Sequence, residues 1–366
     1  MASSAGRTPI ELVAGAYRDG EHTSTLLARG VRAGRLFRVR SGVYVAAADW
    51  MDSPPWRRYE AAVAATAMSR DPVFCRETAL LLHGVPLLRT PESVWARTIR
   101  QGGTGRVAAP ALSGPLSTEG FRRAYRQRHP GRTDIPATLL RNIPTRLVYP
   151  PLPTGMRRGA LLESLRSGSS PLHETTTLRP HAGIRGPRHY RVEPLELALI
   201  DTASRMPFDE AVVALDWAQA QPHLDLQPWL HYLSTVRMRT RWQQAWAFAD
   251  PASESPGESY SRVLIHQLGF GAPSLQMRVS TDRGVYRVDF CWEEERVIGE
   301  FDGRTKYMSR EFRNGKDPAE VVFEEKQRED ALRRASWTVV RWTWEDFKQP
   351  ERLGRFLANA GVSRRR

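Results

Sequence analysis

Lysine is almost missing from this chain. Of 54 basic residues only four are lysines, Lys306, Lys316, Lys326 and Lys348, which leaves 50 arginines (54 − 4). Arginine supplies bulk charge but does not readily give up its proton, so any chemistry that needs a tunable amine falls to these four. Lys316 and Lys348 read as surface residues; Lys306 and Lys326 are the candidates for more. Cysteine is nearly as scarce. Cys75 and Cys291 stand far apart and form neither a C-x-x-C pair nor a zinc spacing, so two reduced, buried thiols are expected. No run of about 18 apolar residues is present, which excludes a transmembrane helix. The first residues lack the apolar core of a secretion signal. A cytoplasmic protein with no membrane partner is the expectation.

The chain has 366 residues, 41% of them hydrophobic, and a formal net charge of +14. That length suits two or three domains with sizeable cores. The charge favours polyanion partners, nucleic acid first. A GC-rich genome would also give an Arg- and Ala-rich composition, so charge alone is a modest argument.

Residues 8–48 read as two short helices and a hairpin. Thr8-Pro9 suits a cap and first turn, with Ile10, Val13, Ala14 and Tyr17 on one helical face; a second helix starts at Thr23 or Ser24. Leu36–Arg40 and Val43–Val45 flank Ser41-Gly42, a hairpin signal. Arg29, Arg32, Arg35, Arg38 and Arg40 crowd this unit. Helices followed by a basic hairpin describe a winged helix, and these arginines are the candidate nucleic-acid contacts. The stretches Gly34–Tyr44 and Cys75–Pro86, and again Pro194–Asp201, resemble the AbiEi-type antitoxins of abortive-infection toxin–antitoxin systems. That resemblance implies a DNA-binding N-terminal region and a cognate toxin protein as a partner. Residues 100–190 read as loop-rich. The basic run Arg122–Arg132, with Tyr125 inside it, reads as a solvated irregular segment, with nucleic-acid contact as the alternative, and His83 reads as a packed helix-end residue. Residues 193–248 return to helical periodicity, with Trp229, Trp242 and Trp246 as packing residues.

The C-terminal part carries the chemistry. Around the charged turn Glu293–Arg296, two runs alternate at period 2: Val288, Phe290 and Trp292 on one face, and Val297, Gly299 and Phe301 on one face. Asp289, Glu300 and Asp302 take the opposite faces. A turn centred on Glu294–Glu295 sets Asp289 opposite Gly299 or Glu300. Carboxylates gathered this way need solvent or a cation, and hard oxygen ligands suit Mg²⁺ or Mn²⁺. The predicted order is a helix from Glu258, three antiparallel strands, a helix over 320–335, a strand over 337–343 and a last helix.

That order, with Glu258, Arg287–Phe290, Gly299–Gly303, Glu325–Arg328 and Trp337–Arg341, resembles the PD-(D/E)xK restriction-endonuclease-like superfamily. The branch related to very-short-patch-repair endonucleases is the nearer likeness. The resemblance implies Mg²⁺-dependent phosphodiester cleavage with Asp289 and Glu300 as metal ligands. Asp302 stands where the superfamily motif has its lysine and would be a further ligand. The amine would then come from Lys306 or Lys326, and Glu258 would complete the catalytic set. The expected architecture is multi-domain α+β. It comprises a winged-helix-like unit (1–50), a mostly helical antitoxin-like middle domain (51–250) and a restriction-endonuclease-like α/β domain (251–366). The leading function is a metal-dependent nuclease acting on DNA, in phage defence or DNA repair. The alternative is a non-catalytic DNA-binding antitoxin or regulator with a degenerate nuclease fold, and RNA stays open as a substrate.

Overall fold

The computed structural model describes residues 9–365, apart from 16, 19–20, 101, 113, 133, 168–175, 179–182 and 304–317. Two compact units emerge. One is built from residues up to Arg205 together with Asp225–Arg239; the other from Met206–Leu224 and from Thr240 onward.

In the first unit, β1 (Ile10–Ala14), β2 (Tyr17–Arg18) and β3 (Glu21–His22) precede α1 (Ser24–Arg32) and the hairpin β4 (Leu36–Arg40) and β5 (Val43–Ala46). Then come α2 (Ala47–Asp52), α3 (Pro55–Arg70), β6 (Val73–Phe74), α4 (Arg76–Leu82), β7 (Val94–Arg97) and β8 (Gly105–Val107). They are followed by α5 (Gly114–Arg128), α6 (Ala137–Leu140), β9 (Thr145–Val148) and α7 (Arg158–Ser167). β10 (Thr176–Leu178), β11 (Ile184–Arg185), β12 (Tyr190–Val192) and α8 (Leu195–Ala203) complete the run. One mixed sheet has the order β11-β1-β5-β4 and a second, of six strands, the order β10-β12-β6-β7-β9-β8.

Three expectations are corrected here. Residues 10–14 are a strand, not a helix: Ile10 and Leu12 are buried while Glu11 is exposed, and β1 pairs with β5 and with distant β11. The middle region holds, besides its helices, a six-stranded sheet of short strands that the mostly helical expectation did not include. The run from Arg122 belongs to α5 as far as Arg128, with Tyr125 buried and Arg122, Arg123 and Arg126 exposed. His83 does close α4, its Nε2 meeting the Glu193 carbonyl at 2.8 Å.

The second unit holds α9 (Phe208–Gln219) and most of α10 (Val236–Phe248). It continues with α11 (Pro256–Gln267), β13 (Ser274–Thr281), β14 (Gly284–Trp292), β15 (Val297–Asp302), α12 (Pro318–Arg334), β16 (Thr338–Thr343) and α13 (Pro350–Asn359). The sheet order is β13-β14-β15-β16, antiparallel except for the parallel pair β15–β16. The crossover through α12 is what a parallel neighbour requires. Two apolar clusters form. Phe290, Trp292, Phe301 and Trp342 pack with Leu264 and Ile265 of α11; Val288, Cys291 and Ile298 pack with Leu332 of α12. Val288 therefore leaves the face of Phe290 and Trp292 on which strict alternation places it. The pair Gln276–Asp289 is skipped in the β13–β14 ladder, and Gln276 has φ of 51°. That local break resets the alternation beside Asp289.

Candidate active site

The β14–β15 register runs Trp292↔Val297, Cys291↔Ile298 and Phe290↔Gly299. The pairing ends there, so Gly299 faces Phe290 and not Asp289; Asp289 and Glu300 are the next residues on the two strands, close enough for Asp289 to raise the Glu300 pKa. Asp289 Oδ2 accepts the Phe301 N–H at 3.0 Å, which ties the side chain to β15 in place of a backbone partner. The Glu300 side chain is 13% exposed, and its Oε1 accepts from Arg328 Nη2 of α12 at 2.8 Å. Burial pushes the Glu300 carboxyl up to about 7; Arg328 opposes that rise and Asp289 adds to it. A desolvated carboxylate beside a second one attracts a cation.

In the sequence Arg328 stands out only as a member of the Glu325–Arg328 motif, yet it is the direct partner of Glu300. The signal was present: Glu325, Arg328 and Leu332 recur at helical spacing, and Leu332 is buried. Arg328 also donates to the Arg287 carbonyl at 2.7 Å and lies 3.5 Å from Glu325. Glu325 pairs in turn with Arg341, the register neighbour of Glu300 on β16. Arg341 Nε is buried and has no hydrogen-bond partner among the described residues.

The remaining candidates divide. Glu258 is buried, and both oxygens serve the start of α11: Oε1 accepts from Ser255 Oγ at 2.7 Å and Oε2 from the Glu254 N–H at 3.0 Å. Ser255 Oγ accepts the Glu258 N–H at 3.2 Å, so the two residues cap the helix reciprocally. Gln276 Nε2 also donates to Oε2 at 2.9 Å. Glu258 is thus a capping residue in this geometry. Asp302 ends β15 opposite Thr343, half-buried. Lys326 is exposed on α12, and Lys306 lies outside the described residues.

Among the described residues no three His, Cys, Asp or Glu side chains form a group that could hold a metal ion. The core of the site is the pair Asp289 and Glu300. That donor set still fits Mg²⁺ or Mn²⁺, because magnesium takes one or two carboxylates and completes its shell with water and substrate phosphate. The largely desolvated Glu300 carboxyl, its pKa raised, is the feature such an ion would relieve.

The N-terminal arginines do not form one surface. Arg29, Arg32 and Arg35 are exposed and Arg38 is half-buried. Arg40 is withdrawn from the candidate contacts. It is 6% exposed, donates to Thr66 Oγ1 at 2.8 Å and to the Val39 carbonyl at 2.8 Å, and burial lowers its pKa to about 10. The β4–β5 register shifts between Arg38 and Arg40, which turns Arg40 inward.

No helix among the described residues is long and apolar enough to cross a membrane. No protein-family model, curated protein or solved structure matches the chain.

Proposed function

We propose that the second unit hydrolyses phosphodiester bonds of DNA in a reaction that depends on Mg²⁺ or Mn²⁺, in phage defence or DNA repair. The observation that carries this reading is the Asp289–Glu300 pair, two carboxylates near one another on the adjacent strands β14 and β15, with Glu300 desolvated. Asp289 and Glu300 would hold the ion. Bound there, it would lower the pKa of a coordinated water and offset charge developing on a phosphate. Arg341, the register neighbour of Glu300 on β16, adds positive charge beside the pair. Lys306 or Lys326 would supply the amine that position 302 lacks. DNA would be engaged electrostatically by the first unit, where α1 packs on α5 and Arg29, Arg32, Arg122, Arg123 and Arg126 are exposed on those two helices.

A second reading has its own observation. Arg328 already neutralises Glu300, and Asp302 replaces the superfamily lysine. On that reading the unit is inert and the protein is a DNA-binding regulator with a toxin as its partner. Incubation of the full chain with plasmid DNA or with RNA, in Mg²⁺ or Mn²⁺, separates the two. Metal-dependent DNA cleavage supports the nuclease. DNA binding with no cleavage of either polymer sinks it in favour of the regulator, and cleavage confined to RNA reassigns the substrate.

A further inference from the structure

The first unit contains a charged cleft that the nuclease reading does not use. Its centre is Asp201 of α8, fully buried. Asp201 accepts from Arg76 Nε at 3.0 Å, Arg97 Nη2 at 3.0 Å and Arg205 Nε at 2.7 Å. Glu193 takes the Arg76 backbone N–H at 2.8 Å and Arg97 Nε at 2.8 Å. Arg76 is thereby held at φ of 49°, a left-handed backbone that arginine rarely adopts. A glycine would take that conformation freely. Instead the chain has an arginine there, clamped through its main chain and its side chain by two buried carboxylates.

The clamp presents its cations to an open cavity of about 380 Å³. The charged residues lining it are Arg76, Arg158 and Arg205 against one carboxylate, Asp201, a surplus of two positive charges (3 − 1). Tyr149, Leu152 and Leu161 give the same cavity an apolar wall, and Thr104 and Ser234 add hydroxyls. Arg158 lies over the Tyr149 ring at 5.0 Å. Asp201 engages Arg76 and Arg205 through their Nε edges, so their guanidinium planes are fixed before any ligand arrives.

We propose that this cleft binds a nucleoside 5′-phosphate, either free or at the end of a nucleic-acid strand. Fixed guanidinium forks match phosphate oxygens. An aromatic and aliphatic wall suits a base, and the volume lies in the usual range for small-molecule sites.

Calorimetric titration of the full chain tests this in EDTA, where a metal-dependent function of the second unit is silent. The probes are AMP, adenosine, inorganic phosphate and one hexadeoxynucleotide with or without a 5′-phosphate. AMP or the 5′-phosphorylated strand is expected to bind at least tenfold more tightly than its phosphate-free counterpart. Arg158→Ala, at an exposed side chain outside the Asp201 clamp, is expected to weaken that binding at least tenfold, and Arg205→Gln likewise. Preference for the 5′-phosphorylated strand over AMP assigns a strand end; the reverse assigns a free nucleotide. The proposal is overturned by absence of binding at millimolar ligand, by affinity unchanged in both variants, or by inorganic phosphate binding as tightly as AMP.

Discussion

At Glu300, burial and charge pull in opposite directions. Its folded pKa of about 7 lies above the 4.5 of a free glutamate, so the folded state holds the proton more tightly than the unfolded chain. No penalty arises below pH 4.5. It accrues as pH rises through 7 and then levels off, at about 3 kcal/mol by the linkage of 1.36 kcal/mol per pKa unit. In EDTA, urea denaturation of the wild type should therefore show stability falling between pH 4.5 and 7 relative to Glu300→Gln. Parallel pH profiles for the two proteins would remove the argument that burial dominates there. Residue identity was only partly legible in the sequence. The turn around Glu294 narrowed the partner of Asp289 to Gly299 or Glu300, because register follows from counting. Arg40 looked the same as Arg38 because alternation puts both on one face; only the shifted register between them, set by pairing with β5, turns Arg40 inward. Arg40→Met should consequently leave DNA affinity within about twofold, while Arg32→Ala should weaken it and lower the salt dependence by about one charge. Filter binding at several salt concentrations reads both.

Among elements, close approach is the feature that sequence alone conceals. A Cβ on Gly257 would lie 1.9 Å from the Phe301 ring, and one on Gly299 would lie 2.4 Å from Trp342. These two glycines let α11 and the Trp342 ring settle onto β15, and Trp342 Nε1 then donates to Ser261 Oγ of α11 at 2.8 Å. Gly257→Ala and Gly299→Ala should each destabilise by about 1–3 kcal/mol, the usual cost of overpacking, seen as a lower urea midpoint. An unchanged midpoint would mean that Phe301 or Trp342 moves aside without strain. Long, periodic elements such as α11, β14, β15 and α12 were legible, since their patterns span several turns or pleats. The six-stranded sheet was not. Its strands are two to four residues long, and β12 pairs with β6 from more than a hundred positions away, so no local periodicity announces them. β1 misled for a related reason: Ile10, Val13 and Ala14 match a helical face as well as they match a strand, and only the partners β5 and β11 decide.

Over the whole molecule, charge is arranged rather than merely abundant. The net +14 is not all surface charge. Arg97 sits buried between Glu193 and Asp201, and Arg76 and Arg205 complete the cluster. Burial alone would raise the Asp201 pKa, but Arg97, Arg76 and Arg205 hold it well below the usual carboxylate range. Asp201→Ala should cost about 3–5 kcal/mol, because it takes a partner from the buried Arg97 guanidinium and the shared acceptor from Arg76 and Arg205. Thermal unfolding would check it, and a loss under 1 kcal/mol would contradict the clamp. The central claim concerns the other unit, and the initial rate of supercoiled-plasmid nicking in Mn²⁺ tests it most directly. The wild type should nick DNA only with metal present, and Asp289→Ala and Glu300→Ala should each lower the rate by about 100-fold or more, several kcal/mol of lost transition-state stabilisation. Nicking that persists in both variants, or a wild type that binds DNA and never cuts it, would contradict the account.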